Sequence, residues 1–314
     1  MRKAAIGWLV VMLVVLGLGG SVRAAPAPVI REVGYNNFCT YKTIEAAIAA
    51  SNPGDTIKVE HAIFYEQPLV VNKALTIVGG YVAGLYGDLT CLGNTGTGLA
   101  TVRPDAGASG PLLQVQGANV RFEWFIFENG ASEGVAVDSG GTLELVDSIV
   151  QNNSDGGLTV SGATANLLRS EILDNNRDYG GGIYMDTNAR VTASDSLIKG
   201  NQGWNQGAGV YLRSGSVFNA IAGTGIEENV TVVGCDDGGG IAAIGPGTEV
   251  IIDSSQVLGN TALTRGGGLY LAGGAQAWVQ NGSWVRENRT FGPTTGGGGG
   301  IHLTGGSACL LYTS

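Results

Sequence analysis

The chain reads Gly182-Ile183-Tyr184-Met185, and the same pattern returns as Gly209-Val210-Tyr211-Leu212, Gly268-Leu269-Tyr270-Leu271 and Gly300-Ile301-His302-Leu303. Ile183 and Met185 alternate with Tyr184, so the two aliphatic side chains share one face of an extended segment and the tyrosine points the other way. Each copy therefore predicts a short β-strand that begins just after a glycine.

A second signature alternates with the first and consists of an aliphatic residue, two variable residues and an asparagine. Its copies are Ile126–Asn129, Val150–Asn153, Leu173–Asn176, Ile198–Asn201, Ile226–Asn229, Val257–Asn260 and Val285–Asn288. The asparagines recur roughly every 23 to 31 residues, and a period of this size is typical of a solenoid.

The residues between the two signatures indicate which kind of solenoid this is. Strand-like runs such as Thr142–Leu145 and Glu249–Ile252 follow short turns rich in Gly, Ser and Thr, and no helical periodicity is present in this region. Each repeat is therefore interpreted as three short strands and three turns. One such coil cannot enclose a core, so the coils must stack, about 4.8 Å apart, as an all-β parallel β-helix.

The repeated asparagine has a physical role in such a stack. Asparagine tolerates tight bends, and its amide both donates and accepts hydrogen bonds. We therefore expect one column of stacked amides, a structural asparagine ladder. Its predicted members are Asn153, Asn176, Asn201, Asn229, Asn260 and Asn288.

One short helix is predicted ahead of the repeats, over about residues 43–51. Thr43 is a suitable N-cap, and Pro53-Gly54 ends the helix. A helix placed before a solenoid covers the open end of its core. We assign residues 25–68 to an N-terminal linker and cap, and residues 69–305 to the β-helix repeats.

Residues 1–24 have the pattern of a secretory signal peptide. Arg2 and Lys3 precede the apolar run from Ile6 to Leu18, and Val22-Arg23-Ala24 precedes the expected cleavage site. The alternative is an uncleaved membrane anchor, for which this run is short. The protein is therefore expected to be exported.

The net charge of the chain, −9, and the lack of any Lys/Arg cluster argue against nucleic-acid binding.

The cap and the repeats together resemble known β-helix families. The segments Thr43–Ile48, Pro53–Ile57, Tyr65-Glu66 and Lys73–Ile77 are similar to the start of pectin-lyase-like right-handed parallel β-helix proteins. The repeats resemble those of chlamydial-type polymorphic outer-membrane proteins, although those have Phe where this chain has Ile, Val or Leu. The resemblance covers about residues 36–305 and implies a right-handed, single-stranded parallel β-helix. That superfamily contains both enzymes and non-catalytic surface proteins.

Two cysteines lie near the N-terminal end of the repeat region. In an exported protein Cys39 and Cys91 are a candidate disulfide that would join the cap to the loop at residues 80–98, and a buried free thiol is the alternative for each.

Residues 306–314 are expected to break the repeat, as at the truncated end of a longer gene. No barrel-forming strands or membrane-inserting segment are recognised in them.

The catalytic signatures of the β-helix enzymes that the resemblance brings in are not found. His61 and His302 lack the context of the galacturonase motif, and the esterase motifs are also missing. Asp236-Asp237 is the one adjacent Asp pair, so it is a candidate for a cation site or for an inverting glycosidase. A solvated turn is the simpler interpretation. No catalytic residue, metal site or cofactor is therefore assigned; Ca²⁺ is the alternative cofactor, and nothing in the sequence supports it.

The segments between each asparagine and the following glycines are expected to stack as variable loops along one edge. Six of their side chains are candidates for ligand binding: Asp178, Tyr179, Trp204, Asp236, Asp237 and Arg265. Exposed aromatic rings beside carboxylates and arginine suit a sugar or a protein partner. Ordinary polar loops without a ligand are the alternative.

Two functional hypotheses follow. The first is an exported, non-catalytic scaffold at the bacterial surface that uses its loops for adhesion or for binding a polysaccharide or a host or cell-surface protein. The second is a polysaccharide-degrading enzyme, a lyase or a glycoside hydrolase, whose site lies in the stacked loops or further along the gene.

Overall fold

The computed structural model of the protein describes residues 27–84, 89–96, 98–232, 237–292 and 297–311. The segment predicted as a signal peptide lies outside these residues. Short strands return to the same three positions on every turn of the chain, and each pairs in parallel with its counterparts in the coils before and after. The predicted parallel β-helix is confirmed.

The three faces of the solenoid follow one another in every coil. The first face contains Ile30–Val33, Thr56–Glu60, Leu75–Ala83, Asn119–Glu123, Thr142–Val146, Thr164–Leu168, Arg190–Ser194, Val217–Ile221, Glu249–Asp253, Gln276–Gln280 and Ala308–Leu311, with Leu92–Thr95 antiparallel to Leu75–Ala83. The second face contains Ile63–Glu66, Ala100–Pro104, Phe125–Glu128, Ile149–Gln151, Glu171–Leu173, Leu197–Lys199, Gly225–Glu227, Gln256–Leu258 and Trp284–Arg286. The third face contains Leu69–Val71, Leu113–Gln116, Val135–Asp138, Leu158–Ser161, Ile183–Asp186, Val210–Arg213, Ile241–Ile244, Leu269–Ala272 and Ile301–Leu303.

The hydrophobic core runs along the axis, inside the three faces. Ile183 and Met185 are fully buried while Tyr184 is not, as the alternation predicts. In-register pairing of Ile183 with Val210, and of Val210 with Ile241, continues this inward column from coil to coil. One column of apolar residues therefore replaces the single central core of a globular domain.

An asparagine ladder crosses the corner between the second and third faces. In each rung the side-chain Nδ2 donates to the Oδ1 of the next asparagine at 2.9–3.1 Å. Each Nδ2 also donates to a backbone carbonyl one coil back, for example that of Ile172 from Asn201 at 2.9 Å. The ladder members are Asn153, Asn175, Asn201, Asn229, Asn260 and Asn288.

One predicted rung was wrong. The ladder residue of its coil is Asn175, whereas Asn176 begins an outer strand and is only half-buried. The reason is the inward hydrophobic residue, which is the fully buried Ile172 and not Leu173. Two adjacent asparagines satisfied the sequence pattern, and the burial of Ile172 decides between them.

A second ladder of hydroxyl groups crosses the corner between the first and second faces. The hydroxyl of Ser170 accepts from the backbone N–H of Ser148 at 3.2 Å, and that of Ser196 accepts from Ser170 N–H at 3.1 Å. Thr224 and Ser283 occupy the same position in later coils. These hydroxyls, most of them buried, pair backbone groups that the turn would otherwise leave unsatisfied.

The N-terminal helix spans Ile44–Ala50, within the predicted range. The Thr43 side chain accepts from Ala46 N–H at 3.2 Å, and the buried Glu66 accepts from Ile44 N–H at 2.6 Å. Ile44 and Ile48 pack onto the end of the core. Within the described part of the chain, no helix has the length and hydropathy needed to cross a bilayer.

The stack extends beyond the predicted limits at both ends. Thr56–Glu60 and Ile63–Glu66 already pair within the first and second faces, although they were assigned to the cap. Ala308–Leu311, expected to break the repeat, instead continues the first face by pairing with Gln276–Gln280. The run Ala308-Cys309-Leu310-Leu311 is apolar throughout, and a short apolar run of this length is consistent with a strand. Cys39 and Cys91 form a disulfide bond beside the cap.

We expect the ladder to distinguish two neighbouring asparagines. Asn175→Leu removes the donor to Asn201 and Val150 and leaves the Asn153 amide without its acceptor. The free energy of unfolding should fall by about 1–3 kcal/mol. The matched variant Asn176→Leu changes a half-buried residue outside the ladder, and its effect should stay within about 0.5 kcal/mol. Urea unfolding measures both values, and equal losses would contradict the observed register.

A second prediction concerns acid stability. The pKa of Asp55 lies below its usual range because its carboxylate accepts from the backbone N–H groups of Asn52 and Val29 and pairs with Arg31. The stability from this group is therefore present above the pKa of Asp in an unfolded chain, about 3.9, and is lost as the pH falls through the lower folded pKa.

Asp55→Asn should lower the melting temperature at neutral pH and reduce the further decline in strongly acidic buffer. Melting curves recorded across the acid range measure both effects. An unchanged acid decline in the variant would show that other carboxylates cause it.

Candidate functional site

A fourth sheet runs along the corner where variable loops were predicted. Its strands are Asn176–Tyr179, Gln202–Gln206, Val230–Thr231, Thr261–Ala262 and Arg289–Thr290, and we call it the edge sheet. The expectation of three strands per coil was therefore wrong for these coils. Their segments after the ladder asparagine are extended, and they pair in parallel with the next coil instead of forming a free loop.

The far end of the edge sheet brings residues from four coils into one column. Tyr179 pairs with Gln206, Gln206 with Asp237, and Asp237 with Arg265. Three of the six predicted site residues thus share a register position, although they are far apart in sequence. Asp236 lies outside the described residues.

A groove of about 410 Å³ opens where the edge sheet meets the outer surface of the third face. It contains three predicted residues, Asp178, Tyr179 and Trp204, and its other lining residues are Ser154, Asp155, Asn176, Arg177 and Tyr184. We call this the edge groove. Tyr179 and Trp204 are 39% and 52% exposed, so both rings are accessible to a ligand.

The exposure of Trp204 follows from the residue before it. Gly203 faces inward, and a Cβ atom there would lie 2.9 Å from the Ala208 Cα. Only glycine fits this close approach, so the strand packs tightly on the segment behind it. The alternation of the strand then directs the neighbouring indole outward.

Arg177 is the cation in the groove lining, and it is fixed on several sides. Its Nη1 donates to the Thr159 hydroxyl at 2.6 Å, and its guanidinium carbon lies 4.7 Å from the centroid of the Tyr184 ring. Asp155 and Glu133 lie 3.5 and 3.7 Å from its nitrogen atoms. Its orientation is therefore set by the protein before any ligand arrives.

Three tyrosines support the groove from one side. The Tyr211 ring lies 5.1 Å from that of Tyr179 and 5.7 Å from that of Tyr184, between centroids. Burial raises the pKa of both Tyr184 and Tyr211, so their hydroxyl groups stay neutral at physiological pH. They serve as packing and hydrogen-bonding groups rather than as bases.

The carboxylates of the groove repel one another and together set the charge of its wall. The pKa of Asp155 is raised by partial desolvation, although 54% of its side chain is exposed; Arg177 opposes the rise, while Glu133 and Asp178 add to it. Asp178 itself is exposed. The groove thus combines two exposed aromatic rings with a negatively charged wall.

The pair of Asp237 and Arg265 lies outside the groove lining and is built differently from an open binding site. Asp237 is fully buried, and its two oxygen atoms accept from Arg265 at 2.7 and 3.0 Å and from the Thr264 hydroxyl at 2.6 Å. The Arg265 guanidinium also lies 5.2 Å from the Tyr270 ring centroid. The prediction that Asp237 is exposed for a ligand was therefore wrong, because the edge-sheet register places its carboxylate inside.

Sequence reasoning missed five groove residues as site candidates: Ser154, Asp155, Asn176, Arg177 and Tyr184. Asp155 and Arg177 stood in the predicted loops but were not selected, and Tyr184 was assigned only to the outer side of its strand. Tyr184 could have been found because an outward side chain on the third face lies beside the segments that follow the ladder asparagines. Among the described residues, no cluster of His, Cys, Asp or Glu could hold a metal ion.

Asp237→Asn should lower the free energy of unfolding by about 1–3 kcal/mol, because it weakens a charge-assisted pair at a buried carboxylate. Thermal unfolding measures this loss. Ligand binding in the edge groove should be retained at temperatures where the variant is folded. A variant as stable as the parent protein would contradict the structural role of Asp237.

Two solved structures are similar to this chain. The pectate lyase Pel9A has a TM-score of 0.48 and 13% sequence identity, and the match covers 85% of this chain and 81% of that one. The pectin methylesterase from Aspergillus niger in deglycosylated form has a TM-score of 0.41 and 12% identity, with 92% and 86% covered. No curated protein sequence matches the chain.

The family comparison agrees with the geometry. The model described as the right-handed β-helix region matches residues 107–282, more than half of the chain. This range includes the edge groove and all but the last rung of the asparagine ladder. The chain therefore belongs to the family of right-handed β-helix region proteins.

Proposed function

We propose that this protein is a non-catalytic β-helix scaffold that binds a glycan in the edge groove. The observation that carries the proposal is the pair of exposed rings, Tyr179 and Trp204, on the wall of one groove. Flat aromatic faces offer a large contact area to the apolar face of a sugar ring. A volume of about 410 Å³ is within the range of small-molecule sites.

The polar side chains of the groove complement the two rings. Ser154, Asn176 and Asp178 line the same space and can donate to or accept from sugar hydroxyl groups. Arg177 is already held in place, so binding would cost little ordering of its side chain. An apolar surface with a few fixed polar groups is typical of specific small-ligand sites.

The core gives no stability reason for the indole at position 204. Trp204 is 52% exposed on an outer strand, and its inward neighbour is glycine. A smaller residue would satisfy the strand equally well. Contact with a partner is the simpler physical reason for a large ring at this position.

We also propose that the protein acts outside the cytoplasm, secreted or at the cell surface. The signal-peptide pattern of residues 1–24 and the bond between Cys39 and Cys91 support this location, since disulfides persist in oxidising compartments. The resemblance of the repeats to polymorphic outer-membrane proteins points the same way. A role in adhesion would follow from a glycan partner on another cell.

A polysaccharide-degrading activity is the second candidate. It is favoured by the carboxylates of Asp155 and Asp178, which line the groove beside Arg177 and could serve as the acid and the base of a glycoside cleavage. Such an activity would release sugar products from the glycan that the groove binds.

Trp204→Ala tests the binding proposal. The affinity for a groove-binding glycan should fall about fivefold or more, while the unfolding midpoint stays nearly unchanged. Binding to an array of immobilised neutral, amino and acidic oligosaccharides identifies the ligand, and titration calorimetry then measures the affinity.

Trp284→Ala is the matched control. Trp284 is also 52% exposed, but it lies on the second face, where Arg286 stacks 4.4 Å from its ring. This variant should bind like the parent protein. Equal losses in both variants would contradict a site in the edge groove, and release of sugar products that Asp155→Asn abolishes would favour the enzyme instead.

A further inference from the structure

The edge groove has an excess of negative charge. Its lining contains two carboxylates, Asp155 and Asp178, against the single guanidinium of Arg177, and Glu133 lies 3.7 Å behind that guanidinium. The complete chain also carries a net charge of −9. Both the local and the long-range fields therefore oppose an anionic ligand and favour a cationic one.

The positive charge of Arg177 is already compensated by the protein. Its guanidinium is close to Asp155 and Glu133 and packs on the Tyr184 ring, and only 20% of its side chain is exposed. Little of this charge remains for a ligand carboxylate or sulfate. An acidic sugar would have to displace these contacts and also approach Asp178.

The negative charge of Asp178, unlike the positive charge of Arg177, is available to a ligand. Asp178 is exposed in the groove and forms no ion pair with any residue in the described part of the chain. A ligand cation could therefore contact this carboxylate without breaking an existing pair. The rings of Tyr179 and Trp204 in the same groove add a second attraction, since aromatic faces bind ammonium groups.

Resting on the proposed glycan-binding function, we infer that the edge groove selects glycans with free, protonated amino groups, such as oligomers of glucosamine. One sugar ring lies against Trp204 while an amino group approaches Asp178. An acetylated amine keeps the ring but loses the charge, and a uronic acid replaces the cation with a repelled carboxylate.

Calorimetry with three probes of equal length tests the inference: a glucosamine oligomer, its fully N-acetylated form and an oligomer of a uronic acid. In mildly acidic buffer, where sugar amines are protonated, the glucosamine oligomer should bind about fivefold more tightly than the acetylated form. The uronic acid oligomer should bind most weakly.

Asp178→Asn should remove most of the preference, weakening glucosamine binding about two- to fivefold while leaving the acetylated oligomer unaffected. Asp195→Asn is the matched control, because Asp195 is an exposed carboxylate at the turn between the first and second faces. It changes the net charge of the chain equally and should not alter either affinity.

Equal binding of the two glucosamine forms, with both weakened by Trp204→Ala, would overturn the charge selection and leave the glycan function standing. Tighter binding of the uronic acid oligomer would overturn it as well. A lysine oligomer bound as tightly, without any effect of Trp204→Ala, would show unspecific charge attraction. Failure of all three glycans would overturn the charge selection, and failure of every oligosaccharide on the array would overturn the proposed function itself.

Discussion

The hydrogen bond between one buried asparagine and the next sets the register of this solenoid. Asn201 is fully buried, so its amide must find partners inside the protein. It finds them one coil forward, at Asn229, and one coil back, at the carbonyl of Ile172. A shift of one residue in any coil would leave these groups unpaired and would also turn the inward hydrophobic column to the outside. Backbone pairing, core packing and side-chain hydrogen bonds therefore all depend on the same alignment.

Most of the fold could be predicted from the sequence because it depends on local periodicity. Alternation around Ile183 and Met185 identified strands, and the spacing of the asparagines identified coils. The error at Asn176 arose where two adjacent asparagines satisfied the same pattern, and only the burial of Ile172 separates them. The hydroxyl ladder at Ser148 and Ser170 was not predicted, because serine is common in turns and a serine at one position does not indicate that it stacks on another.

The site was predicted less completely, for a different physical reason. Tyr179 and Trp204 were recognisable because large rings in polar segments have no place in a core. The groove around them, however, is formed by residues of the edge sheet and of the third face together. The register between separate coils determines which of these residues meet. The same register buries Asp237 against Arg265. No local pattern distinguishes that aspartate from the exposed Asp178.

The positions of the ladder asparagines and of the glycines that follow them have a consequence for how such a protein changes over evolutionary time. Each outer segment is anchored at both ends, and a Cβ atom on Gly209 would lie 2.5 Å from the Gly240 carbonyl oxygen, so these corners tolerate almost no substitution. Between the anchors the length of the segment differs from coil to coil: it is residues 154–156 in one coil and residues 230–239 in another. Longer segments enlarge the outer surface of their coil, and where they are extended they pair with the next coil in the edge sheet. Within these segments, exposed residues such as Trp204 can change without a cost to the stack, whereas buried ones such as Asp237 cannot.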